Sequence, residues 1–274
     1  MKTINEIITM RDGITIPLLG FGTWQISNEE AYEAVTLALK NGYRHIDTAA
    51  AYGNEAAVGR AIKDSGIPRN ELFITSKLQA QIKGYEEALV EFEKTISKLD
   101  VDYLDLYLIH APWPWSEIGK DCTQGNIDSW KAFEKLFKEG KIRCIGVSNF
   151  SPKDIQALMD ACEIVPYVNQ ISYWIGHTQK ETMAFCKTHQ ILVEAYSPLA
   201  TGKLFKNEKV VEIAEKLKVS VARLAIRYCI QKGTVPLPKS THESRMIENA
   251  DLDFVIPVEI MEALDQLDPK GSSK

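Results

Sequence analysis

The sequence lacks the cysteine pairs that disulfide-rich and zinc-binding domains use. Its five cysteines are odd in number and none belongs to a C-x-x-C motif: Cys122, Cys144, Cys162, Cys186 and Cys229. Cys186 and His189 share one predicted helix, but two such residues are too few to hold zinc. We therefore expect free thiols, as in a reducing cytoplasm, and no metal site.

Excess basic charge and long apolar runs are also missing. The formal net charge is −5 at pH 7, so no basic surplus is available to neutralise nucleic-acid phosphates. The opening MKTINEIITMRDG has no apolar run of signal-peptide length, and no segment is apolar for long enough to span a membrane. We expect a cytoplasmic monomer that binds neither nucleic acid nor membrane.

No Pro-, Gly- or Ser-rich linker divides the 274 residues, so a single domain over residues 1–274 is expected. The stretch ITMRDGITI predicts an N-terminal β-hairpin with its turn at Asp12-Gly13. Beyond it, strand-like runs alternate with helical patterns. Eight barrel strands are predicted, at residues 16–19, 45–47, 71–77, 103–110, 142–148, 167–170, 192–195 and 234–237.

The strand–helix rhythm decides the fold class. Runs such as DLYLIH and IRCIGVS are nearly continuous in apolar residues, which is typical of parallel strands buried on both faces. Eight such strands, each followed by a helix, favour an α/β fold of the (β/α)8 TIM-barrel type. The alternative is a doubly wound open sheet, but the stretch from Gly20 to Gln25 lacks the third glycine of its phosphate-binding motif.

Polar residues stand where the predicted barrel strands end, which is where barrel enzymes carry their chemistry. Asp47, Lys77 and His110 end the second, third and fourth strands, and Tyr52 follows Asp47 on a loop of small residues. Each has an ordinary explanation alone: a turn acid, a rim charge, a core histidine. Because side chains alternate along a strand, all four can also meet at the barrel mouth.

This group of residue types has a definite chemical use. A free tyrosine has a pKa of about 10, and a buried lysine cation beside the phenol is expected to lower it. Asp47 is expected to keep Lys77 charged, and His110 to orient a substrate oxygen. The group predicts a proton donor for an oxygen that gains negative charge, such as a carbonyl receiving a hydride. No G-x-S-x-G motif suggests a nucleophile instead.

Eight motifs in this order resemble the aldo-keto reductase family of NADPH-dependent carbonyl reductases, over nearly the whole chain. They are LGFGTW (19–24), GYRHIDTAAAYGNE (42–55), ITSKL (74–78), LDLYLIH (104–110), GKIRCIGVSNF (140–150), VNQ (168–170), AYSPL (195–199) and PLPKSTHESRMIEN (236–249). The resemblance implies that Tyr52 is the general acid, that Lys77 and Asp47 tune it, and that His110 orients the carbonyl.

The resemblance also implies a nicotinamide site. It puts Ser148, Asn149 and Gln170 on the carboxamide, Tyr196 on the ring, and Ser197 to Leu199 along the pyrophosphate. Hydroxyl and amide side chains suit that task because they both donate and accept hydrogen bonds. A plain proline turn is the other explanation for AYSPL.

The adenosine end of the cofactor is expected on the segment after the last strand. Lys239, Ser240, Thr241 and Arg245 offer cations and hydroxyls to a ribose 2′-phosphate, which favours NADPH over NADH. Two further residues fall on the adenine side by the resemblance: Glu248 and Asn249. The alternative is a charged surface helix.

Four tryptophans follow strand ends and predict an aromatic substrate pocket, with Trp24 and Trp113 as its expected members beside Trp115 and Trp174. Two departures from the family pattern affect that pocket: ISYWI follows VNQ, and APWPW follows His110. The chain ends at LDPKGSSK, where longer relatives carry a tail over the pocket. It resembles short microbial members with an open site, which reduce diketogluconates, other diketones and aldehydes.

Three other functions are alternatives to carbonyl reduction by this family. Tyr228 and Lys232 fit the Y-x-x-x-K pattern of short-chain dehydrogenases, but they lie on an apolar helix pattern, so Tyr228 is expected in the core. A non-catalytic regulatory subunit that binds NADPH on the same fold is the main alternative to an enzyme. A barrel metal hydrolase lacks a ligand set.

Overall fold

An antiparallel hairpin leads into the barrel in the computed structural model, which describes residues 3–267. Strand β1 (Ile7–Thr9) pairs with β2 (Thr15–Pro17). In the turn between them, Asp12 and Gly13 both have positive φ, at 59° and 73°. Glycine tolerates this left-handed region because it has no Cβ, and aspartate because its short polar side chain can hydrogen-bond locally. The predicted hairpin is therefore confirmed, whereas residues 268–274 of the closing LDPKGSSK stretch lie outside the described part.

Eight parallel strands follow, and each pairs with its neighbours in chain order. They are β3 (Phe21–Gly22), β4 (His45–Asp47), β5 (Phe73–Leu78), β6 (Leu104–Ile109), β7 (Ile142–Ser148), β8 (Val168–Ser172), β9 (Leu192–Tyr196) and β10 (Thr234–Leu237). Nearly all their residues are buried, as the continuous apolar runs predicted.

Backbone hydrogen bonds join the first barrel strand to the last. The N–H of Gly20 donates to the carbonyl of Pro236, and that of Gly22 to Pro238, each at 3.0 Å. A Cβ on Gly20 would lie 2.4 Å from Cδ2 of Leu237 and 2.7 Å from Nδ1 of His45, so a larger residue would force these side chains to move where the strands meet. The closed barrel is confirmed, and the open-sheet alternative is wrong.

The first barrel strand was expected at residues 16–19 and lies later, at β3. Ile16 belongs to the hairpin instead. The reason is the close approach to β10, which the glycines of LGFG permit and the bulkier residues before them do not. Of the other predicted strands, three have the observed bounds and four differ from them by one or two residues at an end.

Ten α-helices cover the outside of the barrel in the described part. They are α1 (Asn28–Lys40), α2 (Glu55–Asp64), α3 (Tyr85–Leu99), α4 (Thr123–Lys138), α5 (Pro152–Ala161), α6 (Lys180–Thr188), α7 (Glu208–Leu217), α8 (Val221–Gln231), α9 (Glu243–Ala250) and α10 (Val258–Asp265). Ser27 and Ser151 cap α1 and α5 by accepting backbone N–H groups. Within residues 3–267, no helix combines the length and apolar character needed to cross a bilayer.

Tyr228 lies in the core on α8, as expected. Its ring is fully buried, and its hydroxyl donates to Asp265, which also pairs with Lys232 at 2.7 Å. The Y-x-x-x-K pattern is thus a packing and ion-pair arrangement. All five cysteines carry free thiols, as predicted.

Candidate active site

Lys77 on β5 is the centre of a buried cluster at the carboxyl ends of the strands. Its side chain is fully buried, and Nζ donates to both carboxylate oxygens of Asp47, at 2.7 and 2.8 Å. It also reaches the carbonyl of Thr48 at 2.9 Å and Oη of Tyr52 at 3.3 Å. Burial by itself lowers the pKa of Lys77, but Asp47 and Tyr52 outweigh it and hold that pKa raised. Lys77 is therefore a cation.

Tyr52 reaches the cluster from a short turn. The 3₁₀ segment Ala50–Tyr52 ends at Gly53, whose φ is 71°. Asn54 then fixes the loop: it is buried, its Nδ2 donates to the carbonyls of Thr23 and Ile26, and its Oδ1 accepts from Thr48. Sequence reasoning missed this role of Asn54, because an amide just before a helix predicts a helix cap and its side chain makes no cap bond to α2.

The pKa of Tyr52 differs from the expectation. Burial raises it, Lys77 lowers it by less, and Asp47 raises it again, so the net direction is upward. The expected lowering is therefore wrong for the protein without ligands, because desolvation of the phenol exceeds the effect of the cation. Tyr52 consequently holds its proton, which is the form that a proton donor needs.

His110 lies beside Tyr52 as a neutral imidazole. The two rings meet edge to face with centroids 5.6 Å apart. Burial, followed by the charges of Lys77 and Lys83, lowers the pKa of His110 to about 3. Its Nδ1 is buried without a hydrogen-bond partner among the described residues.

Below this cluster lies a polar network that sequence reasoning missed. Nε2 of Gln170 donates to Oδ2 of Asp47 and to Oε2 of Glu194, each at 2.8 Å. Glu194 on β9 is fully buried, and its other oxygen lies 3.5 Å from Nε2 of His45. Only the last residue of each strand was considered from sequence, so a charged residue inside the strand LVEAY was overlooked.

Three predicted cofactor residues form a second network beside the first. The hydroxyl of Tyr196 donates to Oδ1 of Asn149 at 2.8 Å, and Nδ2 of Asn149 donates to the hydroxyl of Ser148 at 3.0 Å. Asn149 has a φ of 62°, which asparagine tolerates better than most residues. These bonds orient three polar side chains toward one wall of the mouth.

A cavity of about 820 Å³ is lined by residues of both networks and by two cations. Asp47, Tyr52 and His110 line it, and so do the exposed Lys239 and Arg245. The other predicted residues that line it are Trp24, Ser148, Asn149, Gln170, Tyr196, Ser197 and Leu199. This volume, lined by polar groups and by two cations, fits an anionic ligand such as a nicotinamide dinucleotide.

Several predicted residues are outside the cavity lining. Lys77 lies behind Asp47 and Tyr52, and the hydroxyl of Ser240 bonds to the backbone of His242 in its own turn. Asn249 is buried in α9. Thr241 and Glu248 are half-buried and are likewise absent from the lining.

The tryptophan expectation is wrong for two of the four residues. Trp24 lines the cavity and is 46% exposed, whereas Trp113 and Trp174 do not line it. Trp174 stacks on His177 instead. The loop after β6 turns so that Trp115 occupies that wall, edge to face with His110 at 5.6 Å, and Trp113 packs behind it at 5.0 Å. The path of the APWPW loop decides which ring is inside, and sequence could not give that path.

Comparison with known proteins identifies the family. The model of the Aldo/keto reductase family matches residues 18–269. Glyoxal reductase of Bacillus subtilis is 47% identical over 97% of this chain and 94% of its own length. An aldo/keto reductase structure from Brucella melitensis aligns with a TM-score of 0.90 at 42% identity, over 97% of this chain and 98% of its own.

A third similarity concerns the cofactor. The structure of a Bombyx mori aldo-keto reductase in complex with NADP is 33% identical, with a TM-score of 0.87 over 97% of this chain and 94% of its own. The barrel, the polar cluster at its mouth and these matches agree: the chain belongs to the aldo/keto reductase family and is an oxidoreductase that acts on carbonyl groups.

Proposed function

We propose that this protein reduces aldehydes and ketones to alcohols with NADPH, and that Tyr52 is the general acid. The observation that carries the proposal is the hydrogen bond between Lys77 Nζ and Tyr52 Oη, 3.3 Å long, at the wall of the cavity. A protonated phenol that touches a buried cation is suited to give up its proton only when a neighbouring oxygen becomes negative.

The proposed reduction divides its steps between the cofactor and the buried cluster. NADPH supplies a hydride to the carbonyl carbon when it is bound. Tyr52 gives its phenolic proton to the carbonyl oxygen, and the cation of Lys77 stabilises the phenolate that remains. Neutral His110 helps to orient the carbonyl oxygen without competing for its proton. Solvent then returns a proton to Tyr52, so the net change is the addition of a hydride and a proton.

The cofactor is proposed to lie along the length of the cavity. Ser148, Asn149 and Gln170 suit its carboxamide, and Tyr196 offers a ring for stacking. Lys239 and Arg245, with the nearby hydroxyls of Ser240 and Thr241, suit a 2′-phosphate, which supports NADPH over NADH. Glu248 and Asn249 are proposed near the adenine.

Small dicarbonyls are the first substrates to test, since the relative at 47% identity is called a glyoxal reductase. The experiment is a panel of glyoxal, other diketones, aldehydes and sugar-derived ketones, run with NADPH and NADH side by side. Loss of the reduced-nicotinamide absorbance measures turnover. Faster turnover with NADH than with NADPH would contradict the cofactor assignment.

Tyr52→Phe tests the general acid. We expect kcat to fall by roughly 10²- to 10⁴-fold, the usual contribution of a positioned proton donor, while the Kd of NADPH stays within about twofold. Tyr32→Phe is the matched control, because it removes an exposed phenol that bonds to Asp64. Full turnover in Tyr52→Phe would exclude the role. Tight NADPH binding with no turnover in the unmodified protein would favour the regulatory subunit.

A further inference from the structure

Glu194 is a carboxylic acid enclosed inside the barrel. It lies between Val193 and Ala195 on β9, opposite Gln170 on β8 and Val235 on β10. None of its side chain is exposed. Its Oε2 accepts from Nε2 of Gln170, whereas its Oε1 has no hydrogen-bond partner among the described residues. Burying such a group costs free energy that a valine would not, so the position calls for an explanation.

The Gln170 amide is held in one orientation by two acids. Its Nε2 has two protons, and these go to Asp47 and Glu194. The reverse orientation would point the amide oxygen at the carboxylate of Asp47 and would lose the bond to it. Oε1 of Gln170 is therefore the amide atom left to meet a ligand in the cavity that Gln170 lines.

The charges around Glu194 favour its protonated form. From β4 it faces His45 and Asp47, from β5 the cation of Lys77, and from β7 the thiol of Cys144. Lys77 already pairs with Asp47 at 2.7 Å. Burial and Lys77 lower the pKa of His45 to about 3, so it supplies no second cation.

The pKa of Glu194 agrees with this charge count. Burial, followed by the charge of Asp47, raises it to about 8, against smaller opposing effects of Gln170 and Lys77. With Glu194 protonated, the cluster of Asp47, Lys77, His45 and Glu194 holds one carboxylate and one ammonium. With Glu194 ionised, it holds an additional negative charge joined to Asp47 through a single amide.

We propose that protonated Glu194 is a positioning residue, which fixes Gln170 with its Oε1 toward the cofactor carboxamide and whose ionisation weakens Tyr52 as a proton donor. This rests on the proposed NADPH-dependent reduction. The second effect follows because a negative charge near Lys77 offsets the cation that stabilises the Tyr52 phenolate.

Two variants separate the charge part of the proposal, which is the effect of ionised Glu194 on Tyr52, from the positioning part, which is the orientation of Gln170. Glu194→Gln keeps the shape and an acceptor for Gln170 but cannot ionise. Glu194→Ala removes the acceptor. Glu55→Gln is the matched control: Glu55 is also buried with a raised pKa, but it lies on α2 and bonds to Ser76.

The charge part is tested by the pH profile of kcat at saturating NADPH. The unmodified protein is expected to lose activity with a midpoint near pH 8, and Glu194→Gln is expected to move that midpoint up by roughly half a pH unit or more. Glu55→Gln is expected to titrate as the unmodified protein does. An unchanged profile in Glu194→Gln overturns this part.

The positioning part is tested by the Kd of NADPH, read from quenching of tryptophan fluorescence. Glu194→Ala is expected to bind about tenfold more weakly, with kcat at saturation reduced less than about threefold. Equal affinity in Glu194→Ala and the unmodified protein overturns it. Should that variant fail to fold, Glu194→Gln still decides the charge part.

A third readout needs neither cofactor nor turnover. An acid whose pKa is raised by folding contributes stability at low pH and loses it as the pH rises toward the folded pKa. The free energy of unfolding of the unmodified apoprotein should therefore fall between about pH 5 and pH 8 by more than that of Glu194→Gln. If the unmodified protein reduces no carbonyl, the proposed function fails, and this measurement still tests Glu194.

Discussion

Two buried aspartates, at opposite ends of the barrel, are neutralised by different cations. Asp47 ends β4 at the mouth and pairs with the fully buried Lys77. Asp105, the second residue of β6, accepts from Arg69 at 2.7 Å, from Arg143 at 2.6 Å and from the N–H of Ile74 at 2.8 Å. Both carboxylates are nearly or completely inaccessible to solvent.

The cations that pair with the two aspartates explain why the Asp47 end of the barrel is suited to chemistry and the Asp105 end to stability. An arginine cannot release a proton near neutral pH, and two of them saturate Asp105 from the partly exposed rim. Lys77 instead contacts a phenol that lines a cavity. In barrels of this type the amino-terminal face contributes stability and the carboxyl-terminal face contributes activity. Asp105 lies at the first face and Asp47 at the second.

The largest expected effect comes from removing the cation at the mouth. Lys77→Met leaves Asp47 buried without its partner and Tyr52 without its stabiliser. We expect kcat/KM to fall by roughly 10³-fold and the free energy of unfolding to fall by about 3 kcal/mol. Steady-state kinetics and denaturant unfolding measure the two. The exposed Lys120→Met should change neither, and activity within tenfold in Lys77→Met would contradict the comparison.

An intermediate effect is expected at the opposite end. Asp105→Asn leaves two arginines without their carboxylate, so the free energy of unfolding should fall by about 3 kcal/mol, while kcat and KM stay within about twofold. Equilibrium unfolding and kinetics of the folded fraction check this together. A large loss of kcat in a folded Asp105→Asn would mean that the two ends are coupled.

The smallest effect is expected from Arg143→Ala. The side chain of Arg143 is 40% exposed, and Arg69 still neutralises Asp105 after its removal. The free energy of unfolding should fall by about 1 kcal/mol or less, with unchanged kinetics. If the free energy of unfolding fell as much as in Asp105→Asn, Arg69 alone would be unable to neutralise Asp105.

The strand ends at the mouth were predictable because a strand–helix rhythm fixes which residues share one face of a barrel. Asp47, Lys77 and His110 end neighbouring strands in the sequence and meet in space. The contact of Gln170 on β8 with Asp47 on β4 was not predictable, since it depends on how side chains fill the closed interior. The order of local pairing says little about contacts across a barrel.

Two other differences between the sequence-based predictions and the structure have a common cause. The net direction of the Tyr52 pKa depends on how completely its phenol is desolvated, and the exchange of Trp113 for Trp115 depends on the path of a loop. Both are properties of three-dimensional surroundings. Residue types and spacing indicate which groups can act, but they carry no measure of solvent access.

The backbone hydrogen bonds between β3 and β10 can form only late in the synthesis of the chain. The backbone bonds from Gly20 and Gly22 reach residues near position 237, which a ribosome adds more than two hundred residues later. Until then, the nascent sheet has two open edges that can pair with other chains. Because β3 is made long before β10, we expect the greatest tendency to aggregate before β10 is synthesised.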